Sequence, residues 1–263
     1  MIKIYRKHGR KAFRSIAVHG GPGATGDLYD MCEGLASEEK GIAEMLHNGE
    51  SIAEQVDEIF RAIQEECTGP VDLIGHSWGA WLVVFYAAEF PERVRRLILI
   101  SSGAFEDKYL QQMNRTRESR FDEADFDKLR EYFRLMNEAK GEEGNDYFRK
   151  AGALFHKTDS FDEEELNPAV KVNVSKEIYE KVWPEAAGKR TTGELLRALK
   201  DVKCPISVIH GDYDPHPFDG VKNPLLENNK EAEFYLLKDC GHNPWRERHA
   251  KREFYKIMEE ILR

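Results

Sequence analysis

The chain lacks the cysteine patterns that build metal sites and disulfide frameworks. Its 263 residues include four cysteines, and no two of them form a CxxC pair. Zinc-binding and disulfide-rich domains place their cysteines in closely spaced sets, so neither class of protein fits this sequence. We expect Cys32, Cys67, Cys204 and Cys240 to be free thiols, buried or partly buried, because unpaired cysteine behaves as a small apolar residue.

Long apolar runs and an excess of positive charge are missing as well. No run reaches the roughly 20 residues that cross a bilayer, and the opening residues MIKIYRKHGRK lack the continuous apolar region of a secretory signal. The formal net charge of −9 opposes general binding to nucleic acid, which needs a cationic surface. We therefore expect a cytoplasmic protein that binds neither membranes nor nucleic acids.

An alternation of β-branched runs and helical patterns is the main feature that the sequence does contain. Strands that are each followed by a helix indicate a mostly parallel sheet with helices on both faces. A length of 263 residues favours one domain with an elaboration. The predicted strands are 13–20, 71–75, 94–101, 206–212 and 233–239, and the predicted helices are 51–67, 78–90 and 246–262.

The middle of the chain follows a different pattern. Strand patterns disappear after Gly103, and charged helical stretches such as EADFDKLREYFRLMNEAK take their place until about Gly193. Because strands resume afterwards, this helical insertion must lie above an edge of the sheet. We denote residues 104–193 the cap segment and expect residues 1–103 and 194–263 to form the core.

The sequence GHSWG at 75–79 lies where a predicted strand ends and a predicted helix begins. In that context the G-x-S-x-G pattern indicates a tight turn that strains the serine and projects its hydroxyl above the sheet. Glycine at both ends of the pattern gives the backbone room to turn. The start of the helix also favours negative charge close by. Ser77 is therefore the predicted nucleophile.

A serine nucleophile needs hydrogen-bond donors for the oxyanion that forms during acyl transfer. The sequence HGGPG at 19–23 directly follows the first predicted strand, where it can face Ser77. Pro22 has no N–H to donate. We therefore assign the oxyanion hole to the backbone N–H groups of Gly21 and Trp78.

The nucleophile also needs a base. In DCGHNPW, residues 239–245, His242 falls between the last predicted strand and the last predicted helix, on a loop at the same sheet edge as Ser77. We predict that His242 is the base, since imidazole exchanges protons near neutral pH. His19 and His76 are expected to brace the neighbouring loops instead.

The base needs an orienting carboxylate, and VIHGDYDPHP at 208–217 supplies two candidates. This stretch places His and Asp at every second position, which on an extended strand would suit a metal. Glycine and proline interrupt the extension, so we expect no metal here. A Ser, Asp, His order requires its acid on such a loop. We favour Asp214 over Asp212, because Asp214 stands farther into the loop and can reach back toward His242.

In this order HGGPG, GHSWG, the Gly-x-x-Asp of GDYD and CGH resemble the motifs of the α/β-hydrolase superfamily. The resemblance covers nearly the whole chain. It implies the α/β-hydrolase fold with an inserted helical cap, and acyl transfer through Ser77, His242 and Asp214 without a cofactor. HGGPG together with SWG is similar to the proline iminopeptidase group. That group has glycine where His76 stands and a DxRGxGxS stretch that residues 41–51 lack.

The expected substrate is a small carboxylic ester. An aminopeptidase or amidase of the proline iminopeptidase type is the alternative, and a carbon–carbon bond hydrolase or a non-catalytic ligand receptor on the same scaffold are further alternatives. The expected binding partner is thus a small ester or amide.

Residues of the cap segment should distinguish these substrates. For neutral esters we expect an apolar pocket lined by Phe105, Phe133, Phe155 and Trp183. An aminopeptidase would need a carboxylate beside the ammonium group of its substrate, because a cation is costly to remove from water. The cap segment offers several candidate acids: Glu106, Glu138, Glu143, Glu177, Glu180 and Glu185.

Overall fold

The computed structural model of the protein describes residues 3–10, 12–165, 167–168, 170–228 and 230–263. Its strands are β1 Tyr5–His8, β2 Phe13–Val18, β3 Ala24–Thr25, β4 Gly41–Met45, β5 Val71–His76, β6 Val94–Ile100, β7 Asn173–Val174, β8 Ile206–Gly211 and β9 Ala232–Leu237. A seven-stranded sheet has the order β1-β4-β2-β5-β6-β8-β9. The pair β1 and β4 is antiparallel, and the other neighbouring strands are parallel. The predicted mostly parallel sheet is confirmed.

Helices cover both faces of this sheet. They are α1 Tyr29–Leu35, α2 Ile52–Glu66, α3 Trp78–Glu89, α4 Leu110–Arg120, α5 Glu123–Glu138, α6 Gly141–Asp159, α7 Lys176–Thr191, α8 Glu194–Asp201, α9 Asp219–Glu227 and α10 Lys251–Ile261. On one face, α2, α3 and α8 bury side chains such as Ile59 and Leu199. On the other face, α1 and α10 bury Met31 and Phe254. Each such side chain stabilises the fold by roughly 1.5–3 kcal/mol.

The predicted strands correspond to β2, β5, β6, β8 and β9, but the strands β1 and β4 were not predicted. The reason is a buried ion pair between them. Glu44 of β4 is fully buried and contacts Arg6 and His8 of β1. A carboxylate that is neutralised across two strands interrupts the apolar run from which a buried strand is predicted.

The last helix begins at Lys251, whereas the sequence predicted a start at 246. Glu247 explains the later start. Its buried carboxylate accepts hydrogen bonds from the backbone N–H groups of Phe161, Asp162 and Gly241. These bonds hold the chain before α10 as a turn against the residues that follow α6 in the cap segment.

The cap segment contains α4, α5, α6, α7 and the short strand β7. The helix α5 packs against α6, while α7 contacts α2 and α8 of the core. β7 was not predicted, and it pairs with β3 in the loop after β2, where Ala24 lies opposite Val174. The cap segment is therefore attached to the loop that carries HGGPG. None of the described helices combines the length and the apolarity that crossing a bilayer requires.

Candidate active site

Ser77 lies in a tight turn between β5 and α3. Its backbone has φ 53° and ψ −113°, a conformation that costs a residue other than glycine roughly 1–3 kcal/mol. A Cβ on Gly75 would lie 2.5 Å from the carbonyl oxygen of Gly79, and a Cβ on Gly79 would lie 2.3 Å from the carbonyl oxygen of Val18. The turn thus requires glycine at both positions and holds the serine under strain.

His242 follows β9, Asp214 follows β8, and the structure brings the two side chains together. His242 Nδ1 lies 2.8 Å from Asp214 Oδ2, and the Asp214 carboxylate is fully buried. Burial raises the pKa of Asp214, but the nearby imidazoles of His242 and His210 outweigh it and hold that pKa well below its ordinary value. Burial lowers the pKa of His242, and the Asp214 carboxylate outweighs it, so the pKa is raised. The pair can therefore hold a positive charge on the imidazole.

Asp212 has a different contact. One oxygen of its carboxylate accepts a hydrogen bond from the backbone N–H of Cys240 at 3.3 Å. This bond joins the loop after β8 to the loop after β9. Asp212 therefore helps to hold two loops together, while Asp214 is the carboxylate that reaches His242.

The two amides assigned to the oxyanion hole, those of Gly21 and Trp78, belong to residues that line the same cavity as Ser77. Neither N–H has a hydrogen-bond acceptor among the described residues. The HGGPG loop passes close to the serine, since a Cβ on Gly20 would lie 3.2 Å from the Cβ of Ser77. Both donors are thus free to bind an oxygen of a ligand.

The neighbouring histidines His76 and His19 contact backbone carbonyl groups. His76 Nε2 lies 3.0 Å from the carbonyl oxygen of His242, and its ring meets the edge of Trp245. His19 Nδ1 lies 2.8 Å from the carbonyl oxygen of Gly20. Burial lowers the pKa of both imidazoles to about 3. Both are therefore neutral, and they brace the loops that carry the predicted base His242 and the predicted oxyanion donor Gly21.

Among the described residues, two groups of side chains bring metal-ligand atoms within 4.8 Å of one another: Asp214, His216 and His242 in one, and His8, Cys32 and Glu44 in the other. An arginine contacts each group. Arg117 Nη2 lies 3.2 Å from His216 Nε2, and Arg6 Nη2 lies 2.6 Å from Glu44 Oε2. A guanidinium this close repels a second cation, so both groups fit an ion-pair network better than a metal ion.

A cavity of about 420 Å³ is lined by Ser77 and by helices of the cap segment. Its aromatic walls are Trp78, Trp81, Phe133, Phe155, Tyr179 and Trp183. The rings of Tyr179, Trp183 and Trp81 follow one another almost in parallel, with interplanar angles of 10° and 12°. The cavity therefore offers flat apolar surfaces next to the serine.

The predicted pocket residues Phe133, Phe155 and Trp183 line this cavity, but the prediction for Phe105 is wrong. Phe105 is fully buried and packs in the core cluster beneath α3. Its backbone N–H donates to the carbonyl oxygen of Gly220 at the start of α9. Phe105 lies five residues after the end of β6 and before α4, and its ring still packs in the core.

The candidate acids of the cap segment do not reach the cavity. None of them is among its described lining residues. Glu138 is exposed and pairs with Arg134 on the surface of α5. Glu185 accepts a hydrogen bond from the backbone N–H of Ile52 at 2.9 Å, at the start of α2. A carboxylate for a substrate ammonium group is thus missing from the described wall.

The cavity wall also contains Arg117 and Arg190, which were not predicted. Arg117 Nε lies 2.9 Å from Asp159, and its Nη2 contacts both Asp159 and His216. The His216 ring stacks on His242, with the two ring centroids 4.9 Å apart. Arg117 therefore connects the cap segment to the ring beside the predicted base.

Helical spacing is the sequence signal that could have indicated Arg117. Leu110, Met113, Asn114 and Arg117 line the cavity from α4, and they stand at i, i+3, i+4 and i+7. Residues at these intervals share one face of a helix. This face mixes apolar, polar and charged side chains, so its hydrophobic pattern does not predict that it packs toward the interior.

The sequence matches the alpha/beta hydrolase family over residues 19–255. Among solved structures, VinJ is 19% identical with a TM-score of 0.66, covering 98% of this chain and 93% of VinJ. A thermophilic esterase from Thermogutta terrifontis is 17% identical with a TM-score of 0.63, covering 98% of this chain and 92% of the esterase. Est816, an N-acyl homoserine lactone degrading enzyme, is 16% identical with a TM-score of 0.62, covering 98% and 95%.

Among curated proteins, a cis-3-alkyl-4-alkyloxetan-2-one decarboxylase from Shewanella oneidensis is 43% identical over 35 residues. That match spans only 13% of this chain and 11% of the decarboxylase. The structural likenesses cover nearly the whole chain and agree in fold. Because the family match extends over residues 19–255, the chain belongs to the alpha/beta hydrolase family.

Proposed function

We propose that the protein is a serine hydrolase in which Ser77 is the nucleophile, His242 the base and Asp214 the orienting acid. One observation carries the proposal: His242 Nδ1 and Asp214 Oδ2 lie 2.8 Å apart at the sheet edge where Ser77 occupies its strained turn. The carboxylate makes Nδ1 the protonated nitrogen. His242 Nε2 is then the nitrogen that accepts the serine proton.

Acyl transfer follows from these roles. The Ser77 oxygen bonds to the carbonyl carbon as its proton moves to His242, and the carbonyl oxygen becomes an oxyanion that the N–H groups of Gly21 and Trp78 bind. One donor of this kind contributes roughly 3 kcal/mol to the transition state. His242 then protonates the leaving alcohol. Water attacks the acyl-enzyme in the same manner and releases the acid.

Small carboxylic esters are the proposed substrates. The cavity beside Ser77 has aromatic walls, and the cap segment supplies more than half of its described lining. Two proteins of similar fold act on carboxylic esters or lactones by name, the Thermogutta terrifontis esterase and Est816. We therefore propose that residues 104–193 form a cap that closes an ester pocket.

An aminopeptidase of the proline iminopeptidase type is less well supported. Such an enzyme must hold an ammonium group, which needs a carboxylate close by. The described lining of the cavity contains no Asp or Glu and contains Arg117 and Arg190. Two guanidinium groups would repel the ammonium group of a peptide substrate.

A fluorophosphonate probe and a substrate panel test the proposal. We expect the probe to label the intact protein, and Ser77→Ala to remove the labelling. The panel compares p-nitrophenyl esters of short and long acids with proline p-nitroanilide and its N-acetyl derivative. Hydrolysis of the esters supports the proposal. A folded protein that neither reacts with the probe nor cleaves any ester contradicts it, and preferential cleavage of the free-amine anilide would favour the peptidase.

A further inference from the structure

Arg190 of α7 uses only part of its guanidinium for contacts within the protein. Its Nε donates to Asp107 at 2.5 Å, whereas Nη1 and Nη2 have no hydrogen-bond acceptor among the described residues. The side chain is only 9% exposed and lines the same cavity as Ser77. The two Nη groups of Arg190 are therefore available to a ligand in this cavity.

Two neighbours hold this guanidinium in place. Its Cζ lies 5.3 Å from the centroid of the Trp81 ring, within the range of a cation–π contact. Asp107 is anchored in turn by Thr191 Oγ1, which donates to it at 2.7 Å. The Asp107 side chain is 40% exposed, so water screens its charge. Asp107 therefore orients Arg190 and neutralises only part of its charge.

The charged groups of the cavity wall have one sign. Arg117 and Arg190 are present, and no Asp or Glu is among the described lining residues. Asp159 and His216 already engage Nε and Nη2 of Arg117. Arg190 keeps both of its Nη groups free, and it is the arginine that can offer two parallel N–H donors.

We propose that Arg190 is a specificity-determining residue that binds a carboxylate on the substrate, so that the preferred esters carry an acidic group away from the ester bond. This inference rests on the proposed serine hydrolase function. The two Nη groups match the two oxygens of a carboxylate in a bidentate pair. Arg190 lies on the face of Trp81, which follows Trp78 at the start of α3 by three residues, or ~4.5 Å of helical rise. Because the ester bond would lie at Ser77 and the carboxylate at Arg190, we expect a linker of several methylene groups between them.

The test uses p-nitrophenyl monoesters of adipate, pimelate and suberate. Each is compared with the same ester in which a carboxamide replaces the free carboxylate, because the two groups have similar size and differ in charge. We expect kcat/KM to be at least about tenfold higher for the carboxylate in at least one chain length, which corresponds to ~1.4 kcal/mol. Equal rates, or a preference for the carboxamides, would overturn the inference.

Three variants assign the preference to a residue. Arg190→Met should lower the carboxylate-to-carboxamide ratio of kcat/KM to about one, and Arg190→Lys should restore part of that ratio through charge alone. Arg197→Met is the matched control, since Arg197 is exposed on α8 and bonds the carbonyl oxygen of Thr192. A preference that survives in Arg190→Met, or that disappears only in Arg117→Met, would contradict the assignment to Arg190.

Binding separates this inference from the proposed function. Suberate monoamide, which retains one carboxylate and has no ester bond, is titrated into the wild-type protein and into Arg190→Met by calorimetry. Saturable binding that is lost in Arg190→Met supports the anion site, even if no ester is cleaved and no fluorophosphonate reacts. Such a lack of reaction would contradict only the proposed serine hydrolase function. Absence of binding together with cleavage of neutral esters would leave the hydrolase intact and refute the anion site.

Discussion

The core loops and the cap segment hold their functional side chains in different ways. Asp214 and His242 lie on loops that follow parallel strands. One oxygen of the buried Asp214 carboxylate contacts His242, and the other accepts a hydrogen bond from the backbone N–H of His216. Arg190 belongs to a helix of the cap segment, lies against an aromatic ring and has a partly solvated partner. The core thus holds the predicted base and its acid in buried, hydrogen-bonded positions, while the cap segment offers groups that we propose to meet the rest of the substrate.

This difference predicts where substitutions act. A change in the core loops should lower the rate for every substrate, because it removes a step of the chemistry. A change in the cavity wall should alter the ratio between substrates. The two regions are in contact, because the backbone N–H of His242 donates to the carbonyl oxygen of Asp159 at 2.9 Å. The end of α6 therefore supports the loop that carries His242.

The largest effect is expected from Ser77→Ala. Removing the nucleophile of a triad lowers turnover on the order of 10⁶-fold, and the loss should be the same for neutral and acidic esters. Ser101→Ala is the matched control, because Ser101 also follows a central strand directly and has a positive φ of 46°. Comparable losses in both variants would show that the fold, and not the nucleophile, had been damaged.

The second-largest loss of turnover is expected at one of the two aspartates in the loop after β8. Asp214→Asn should reduce turnover by roughly 10⁴-fold, because the amide no longer fixes the imidazole tautomer. Asp212→Asn should cost far less, since Asp212 bonds a backbone N–H of Cys240. Steady-state turnover of one activated ester by the two variants measures this difference. The reverse order would mean that Asp212 orients the base.

The pH dependence of the rate tests the environment of His242. The base must be neutral to accept a proton, so kcat/KM should fall about tenfold per pH unit below the pKa of His242. Asp214 outweighs burial and raises that pKa above its ordinary value of 6.5. In Asp214→Asn, burial is the largest remaining influence on the pKa of His242 and lowers it, so the acidic limb should move to lower pH. The rate of fluorophosphonate labelling as a function of pH measures both proteins, and an unmoved limb would contradict the pairing.

The smallest effect is expected at the junction between cap segment and core. Arg120 donates to the carbonyl oxygens of Thr158 and Tyr213, and its Cζ lies 3.5 Å from the Tyr213 ring centroid. Arg120→Met should lower the free energy of unfolding by about 2 kcal/mol with only a modest change in turnover. Urea titration measures this, with Arg115→Met on the exposed face of α4 as the control. Equal stability of the two variants would show that the junction contributes little.

Local context made the core residues predictable from the sequence. GHSWG directly joins β5 to α3, and His242 and Asp214 each come a few residues after a strand. Because the carboxyl ends of parallel strands meet at one edge of a sheet, residues far apart in sequence can be expected close together there. β4 escaped prediction because its Glu44 is neutralised by residues of β1, which no local pattern reveals.

The residues of the cavity wall were less predictable, because the sequence of a helix does not specify which other element each of its faces packs against. The sequence predicts Phe105 in the pocket, but this residue lies in the core, whereas Arg190 lines the cavity without any pattern that predicts it there. Arg190 is flanked by Lys189 and Thr191, so the local sequence is typical of a solvated helix face. Only the packing of α7 over α3 shows that its guanidinium rests on Trp81.

The most direct test of the central claim is the mass of a trapped acyl-enzyme. The protein is mixed briefly with a p-nitrophenyl ester, quenched in acid, and digested, and the peptide that contains Ser77 is examined by mass spectrometry. The account predicts that this peptide gains the mass of the acyl group, that Ser77→Ala shows no adduct, and that p-nitrophenol is released in a burst that matches the adduct. Ester hydrolysis without any adduct, or an adduct on another residue, would contradict it.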